Sequence, residues 1–212
     1  MPTLIPIAPI ILVASGFFGQ DGEATFWKWF QAHDRALLAA KTRHEPVCAE
    51  LLSRLKKMNP DLDFEFGPVQ AGKREFVLTV AGIKASFPAV ISLAQAAPDM
   101  PHWTITRFRP PRPGVMLVRW KGIKLDARTV EFIVTQDDGD TLGLAVSVTG
   151  FEESRADDYE EAVYLLLDRL LGEYTVEMKI RGLQVTMVQG RAGGHWMSLT
   201  HIKDLIKIES PR

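Results

Sequence analysis

The chain has 212 residues, 46% of them hydrophobic and 24% charged, a balance that excludes wholesale disorder and accommodates one large domain or two small fused ones. Its 25 basic and 26 acidic residues leave a formal net charge of −1, which removes any whole-molecule attraction to nucleic acid or to an anionic membrane. A single cysteine, Cys48, excludes an internal disulfide and cannot by itself build a zinc site.

Residues 4–18 (LIPIAPIILVASGFF) are uncharged and apolar, with small residues at Ala14, Ser15 and Gly16, like the core and cleavage region of a secretory signal. Against that, no Lys or Arg precedes the run and Pro6 and Pro9 interrupt its helix. It is also shorter than the roughly 20 residues a membrane-spanning helix needs, so no span is expected. Residues 1–20 therefore read either as a degenerate export signal or as an extended arm, and a cytoplasmic and an exported protein both stay open.

From Asp21 the pattern becomes regular. Phe26, Phe30, His33 and Leu37 recur at helical spacing and predict one amphipathic helix over 23–41, with Trp27 and Trp29 flanking its stripe and His33 as a hydrogen-bonded core residue. A second helix is predicted at 45–58, with Pro46 in its first turn and Asn59-Pro60 as its stop. Strands are predicted at 62–66 and 75–81, joined by a turn over Pro68–Gly72. Ser86 reads as the N-cap of a helix over 87–97, and Trp103–Phe108 as a further strand. Arg109-Pro-Pro-Arg-Pro-Gly114 must then interrupt the sheet, because three prolines supply no ladder donors.

Strands follow at 115–121, 129–135 and 142–149, with Asp137-Asp-Gly-Asp140 as a hairpin signal. Tyr159, Val163, Leu166, Leu167 and Leu170 share one face of a helix over 156–171, which Gly172 stops. Residues 174–180 alternate in polarity and predict a strand with Tyr174, Val176, Met178 and Ile180 inward. A strand at 183–188, a Gly-rich loop at 190–194 and a short helix at 199–207 complete the chain.

The order strand–strand–helix–strand occurs twice, at 62–108 and 130–181, although identity between the stretches is too low to call a repeat. Two such stretches could pair into one sheet or stack as lobes; the expected fold class is α+β, a mixed, mostly antiparallel sheet covered by helices, with duplicated ββαβ halves around a common apolar interior. No linker is long enough to separate the halves, so 21–212 reads as a single domain whose pseudo-halves meet near 109–114.

Charge is segregated along the second half. Residues 107–128 hold seven bases (Arg107, Arg109, Arg112, Arg119, Lys121, Lys124 and Arg128) and one acid, Asp126, whereas 129–168 hold eleven acids and one base, Arg155. One reading is a basic groove in which Trp103, Phe108 and Trp120 stack on an anionic partner. The plainer one is that neighbouring strands pair opposite charges, with acids on a solvated hairpin and at a helix start. Asp126 sits amid bases, so a salt bridge or a turn cap is its first expectation.

Signals for catalysis are poor. His33, His44, His102, His195 and His201 show no metal-ligand spacing, and no Gly-x-Ser-x-Gly nucleophile elbow occurs. Gly190-Arg-Ala-Gly-Gly194 lacks the Lys-Ser/Thr ending of a phosphate loop, so no cofactor is implied, and no catalytic or metal-binding residue is assigned.

Phe26-Trp-Lys-Trp-Phe30, Ala97-Pro98 with Trp103, Phe108-Arg-Pro-Pro111, Gly122-Ile-Lys-Leu-Asp126 and Leu165-Leu-Leu-Asp-Arg-Leu-Leu-Gly-Glu173 together resemble an uncharacterised bacterial protein family of unknown function, over residues 23–180. Its members often begin with an export signal, whose basic start this chain lacks. The resemblance implies no activity, cofactor or site residue.

The expectation is a non-catalytic protein-interaction or regulatory domain that binds through Trp103, Arg107, Phe108, Arg109, Arg119, Trp120 and Asp126. The alternatives are a hydrolase whose site converges only in three dimensions, with Asp126 and His195 as participants, and weak RNA or nucleotide binding by the 107–128 region.

Overall fold

The computed structural model describes residues 20–114, 116–187 and 194–209. The apolar segment before residue 20 and most of the 190–194 loop lie outside the described residues. Three helices open the fold: α1 (Gln20–Ala32), α2 (Asp34–Ala39) and α3 (Pro46–Met58). Strands β1 (Asp63–Gln70) and β2 (Lys73–Thr79), helix α4 (Phe87–Gln95) and strand β3 (Trp103–Arg107) complete the first half. A hairpin of β4 (Leu117–Trp120) and β5 (Ile123–Asp126) leads into the second. That half comprises β6 (Glu131–Asp137), β7 (Leu142–Val148), α5 (Ala156–Leu171), α6 (Glu173–Lys179), β8 (Ile180–Met187), β9 (Met197–Ser198) and α7 (Ile202–Leu205). None of the described helices is long and apolar enough to cross a membrane.

Helix and strand thus combine as an α+β fold, with three separate sheets ordered β1-β2-β3, β4-β5 and β8-β7-β6-β9. Each half repeats one connectivity. An antiparallel hairpin is followed by helix, and the returning strand pairs parallel to the hairpin's second strand, β3 on β2 and β8 on β7. The parallel return follows from the helix, which carries the chain back across the sheet before the next strand begins.

Several local expectations shift for identifiable reasons. The helix predicted over 23–41 breaks at His33, whose ring stacks on Trp29 at 4.4 Å and whose Nδ1 donates to the Trp29 carbonyl at 2.8 Å. That bond competes for a carbonyl the helix itself uses, and it leaves His33 half-buried and outside the core. Strand β1 runs past Pro68, which lies at a register shift on an edge strand where no ladder partner needs its missing N–H. The turn itself is Ala71-Gly72, both at positive φ. Ser86 precedes α4 without capping it; its hydroxyl donates instead to Asp61 at 2.6 Å.

Residues 173–179 form a helix where alternation predicted a strand. The common apolar interior expected of the two halves is also two clusters, one per half. These corrections share a cause. α6 lies between the clusters, so Tyr174 packs on the first while Val176 is buried in the second. Apolar residues on two sides of a helix imitate the period-two signature of a strand.

The first cluster is aromatic, with Phe30, Phe76 and Trp103 in mutual ring contact and Trp27 tied by its indole N–H to the Leu93 carbonyl at 2.8 Å. The second is aliphatic, with Val163, Leu166, Leu167 and Leu170 of α5 against Phe132, Leu144 and Val146.

Polar and aromatic contacts join the halves. Glu173, fully buried, accepts from the Thr79 hydroxyl at 2.5 Å and from the backbone N–H groups of Val80, Gly82 and Arg109 at 3.2, 3.0 and 3.0 Å. Tyr174 stacks on Phe87 and packs tilted against Phe108, with ring centroids 5.6 and 5.4 Å away. Arg112 pairs with Glu75 at 2.5 Å, and its backbone N–H donates to the Arg169 carbonyl at 2.8 Å.

Candidate functional site

A cleft of about 680 Å³ opens where the halves meet. Arg43, Asp63, Glu65 and Ala81 line it from the first half, Leu117–Trp120 from β4, and Glu161, Leu165, Asp168 and Arg169 from α5, with Arg109 of the connecting segment among them. The α5 residues fall at i, i+4, i+7 and i+8, one stripe of the helix, while Leu166, Leu167, Leu170 and Leu171 face the second core.

Arg109 is the fixed point of this cleft. Its Nε donates to Glu65 Oε1 at 2.6 Å and its Nη1 to Asp168 Oδ2 at 3.4 Å, so one guanidinium is held by a carboxylate from each half. The Arg109 side chain is only 13% exposed. Burial disfavours its charge, and the surrounding Glu65, Glu173 and Asp168 more than offset that, which raises its pKa.

Asp168 is a buried carboxyl on the same stripe. Burial pushes it from its ordinary 3.8 up to about 7; Arg109 opposes the shift, and Glu173 and Glu177 reinforce it. The Glu177 carboxyl is likewise raised by burial and by Glu173.

The β4–β5 hairpin forms one wall of the cleft. Its turn is Lys121-Gly122, both at positive φ, and Val118, Ile123 and Leu125 turn inward against α5. Glu161 accepts from the Trp120 indole and from Lys121, both at 2.7 Å, and Lys121 also pairs with Asp158 at 2.9 Å. On the outward face Arg119 stands directly opposite Lys124, beside the exposed Leu117. Neither base forms an ion pair among the described residues.

The residues singled out from sequence divide accordingly. Arg109, Arg119 and Trp120 come together along the cleft. Trp103 and Phe108, expected to stack on a partner, are buried instead. The Trp103 indole donates to Asp34 at 2.5 Å, and Phe108 lies 4.5 Å from Phe87 in the first core. Both reach that core because β3 is laid parallel on β2, an arrangement no local pattern encodes. Arg107 is half-buried in register with Leu78 and does not line the cleft. Asp126 forks the Arg128 guanidinium and accepts the Arg128 backbone N–H at 3.0 Å, which holds its carboxyl at about 2 and ties it to its turn. His195 is exposed just before β9.

The segregated charges are therefore only partly matched to each other. Lys121 and Arg109 reach acids of the 129–168 stretch, Arg112 and Arg128 find acids elsewhere, and Arg107, Arg119 and Lys124 form no ion pair among the described residues.

Sequence reasoning passed over Glu65, Glu161, Asp168 and Arg169. A signal for two of them exists: Asp168-Arg169 interrupts an otherwise unbroken run of leucines, Leu165–Leu171. Charges in such a run cost stability unless they meet partners or solvent, which marks a helix face turned toward a polar cleft. Among the described residues no group of three or more His, Cys, Asp or Glu side chains is placed to hold a metal ion. In comparisons with known proteins, no family model, no curated protein and no solved structure matches this chain.

Proposed function

We propose that this chain is a non-catalytic protein-interaction domain that docks an acidic segment of a partner protein on the outward face of the β4–β5 hairpin. The observation that carries the reading is the in-register pair Arg119 and Lys124. Like charges directly opposite one another destabilise a hairpin, and here no described carboxylate forms an ion pair with either base. Asp126 attracts Lys124 on the same face but is committed to Arg128, so an acidic partner supplies further counter-charge, and the 37%-exposed Leu117 beside the pair supplies apolar contact.

The catalytic reading that rests on Asp126 draws no comparable support. Asp126, its first candidate, is held near pKa 2 by Arg128, too low for proton transfer at neutral pH.

The test is fluorescence anisotropy with a labelled peptide of alternating Glu and Leu, beside a labelled RNA of equal length. Binding of the peptide, weakened by salt and lost in Arg119→Glu/Lys124→Glu, supports the reading. Tighter binding of the RNA moves the assignment to nucleic acid, and peptide binding that survives the double reversal removes the hairpin from the site.

A further inference from the structure

The cleft itself has chemistry that docking on the hairpin does not use. Of its four acids, Asp63 is paired with Arg43, Glu65 with Arg109, and Glu161 with Lys121 and the Trp120 indole. Asp168 shares Arg109 at a long 3.4 Å, and because burial raises its pKa to about 7 it is only partly ionised at neutral pH. Of the four arginines, Arg119 and Arg169 make no side-chain hydrogen bond or ion pair among the described residues. The acids are thus answered while two guanidinium groups are not. Formally the lining balances four arginines against four acids, and Arg169 is the unengaged cation that stays with the cleft, since Arg119 turns to the hairpin's outward face.

We propose that this cleft binds a small anionic molecule, whose carboxylate or phosphate meets Arg109 and Arg169 and whose apolar body lies along Leu165 and Trp120.

The volume of about 680 Å³ is that of a small-molecule site, and such sites favour the seam between two packed units. Arg109 supplies preorganisation. Held by Glu65 on one side and Asp168 on the other, its planar fork presents its remaining N–H groups without losing side-chain freedom on binding. Guanidinium is suited to both headgroups because two parallel N–H donors match two oxygens of either a carboxylate or a phosphate. α5 sets Leu165 one turn before Arg169, so a ligand lying along the helix meets an apolar surface and then a cation. The partly neutral Asp168 lowers the repulsion an incoming anion would otherwise meet.

The proposal is tested by titrating the full chain with benzoate, phenyl phosphate and benzylammonium, followed by NMR at the Trp120 indole N–H and the Arg109 Nε–H. Benzoate, phenyl phosphate or both are expected to shift these two signals, and which of them does so assigns the headgroup; benzylammonium is expected to shift neither. Arg169→Gln removes a side chain without described partners, so the fold stays intact, and it is expected to weaken the anion about tenfold, the loss of one charge-assisted contact. Arg169→Gln, on α5 and off the hairpin's outward face, is expected to leave binding of the Glu/Leu peptide unchanged, which separates this site from peptide docking on the hairpin. Silence of both signals with either anion overturns the proposal. So does an equal response to benzylammonium, or anion binding indifferent to Arg169→Gln.

Discussion

The Glu173 carboxylate lies 2.5 Å from the Thr79 hydroxyl, although 94 residues of chain separate the two. Three backbone N–H groups converge on the same carboxylate, so one fully buried side chain satisfies four donors from the end of β2, the turn beyond it and the connecting segment. A buried charge is tolerated when each oxygen is hydrogen-bonded, and this one is. Glu173→Gln keeps the shape but turns an NH₂ toward donors. It is expected to destabilise the chain by about 2–4 kcal/mol in urea unfolding, the cost of one or two buried donors losing their acceptor. A loss below about 1 kcal/mol would mean that water replaces the carboxylate there and that the clasp does not hold the halves.

Gly172 precedes the clasp at φ 86 and ψ 145, a region that only glycine occupies readily. A Cβ there would also lie 2.9 Å from Pro111 Cδ and 3.2 Å from the Arg109 carbonyl oxygen. Gly172→Ala is expected to cost about 2–5 kcal/mol, combining backbone strain with overlap at the seam. Thermal unfolding checks this, and a neutral substitution would show that α5 and α6 join by another route.

Asp168 gives stability a particular pH dependence. With its pKa lifted from 3.8 to about 7, the folded chain holds a proton that the unfolded chain has already released over that interval. This group therefore lowers stability as pH rises from 3.8 to about 7, and its full penalty, on the order of 4 kcal/mol, is reached above that range. Asn cannot ionise. Asp168→Asn is expected to gain on the parent by roughly 2–3 kcal/mol between pH 5 and pH 8, on top of any constant offset from the altered Arg109 contact. A parent–variant difference that stays flat over that interval would show that Asp168 is ionised throughout.

Much of this architecture is written locally. The stop at Gly172, the Asp137–Asp140 hairpin and the leucine face of α5 are short-range signals, and each appears where chain order places it. What local pattern cannot carry is which element lies between two others. Tyr174 and Val176 read as one face of a strand because the sequence does not reveal that a separate core waits on each side of α6. The cleft suffers from the same blindness. Arg109, Arg119 and Trp120 stood out by composition, whereas Glu65 and Asp168 acquire meaning only when one guanidinium spans both halves. Trp103 and Phe108 misled in the opposite direction, since aromatic residues beside bases resemble a stacking surface until β3 is laid on β2.

The measurement that bears most directly on the account is a charge swap at the hairpin. The parent and Arg119→Glu/Lys124→Glu are each titrated with the Glu/Leu peptide and with its Lys/Leu counterpart. The parent is expected to bind the acidic peptide and the double variant to bind the basic one, with each failing on the other's ligand. Equal binding of the acidic peptide by both proteins would contradict it.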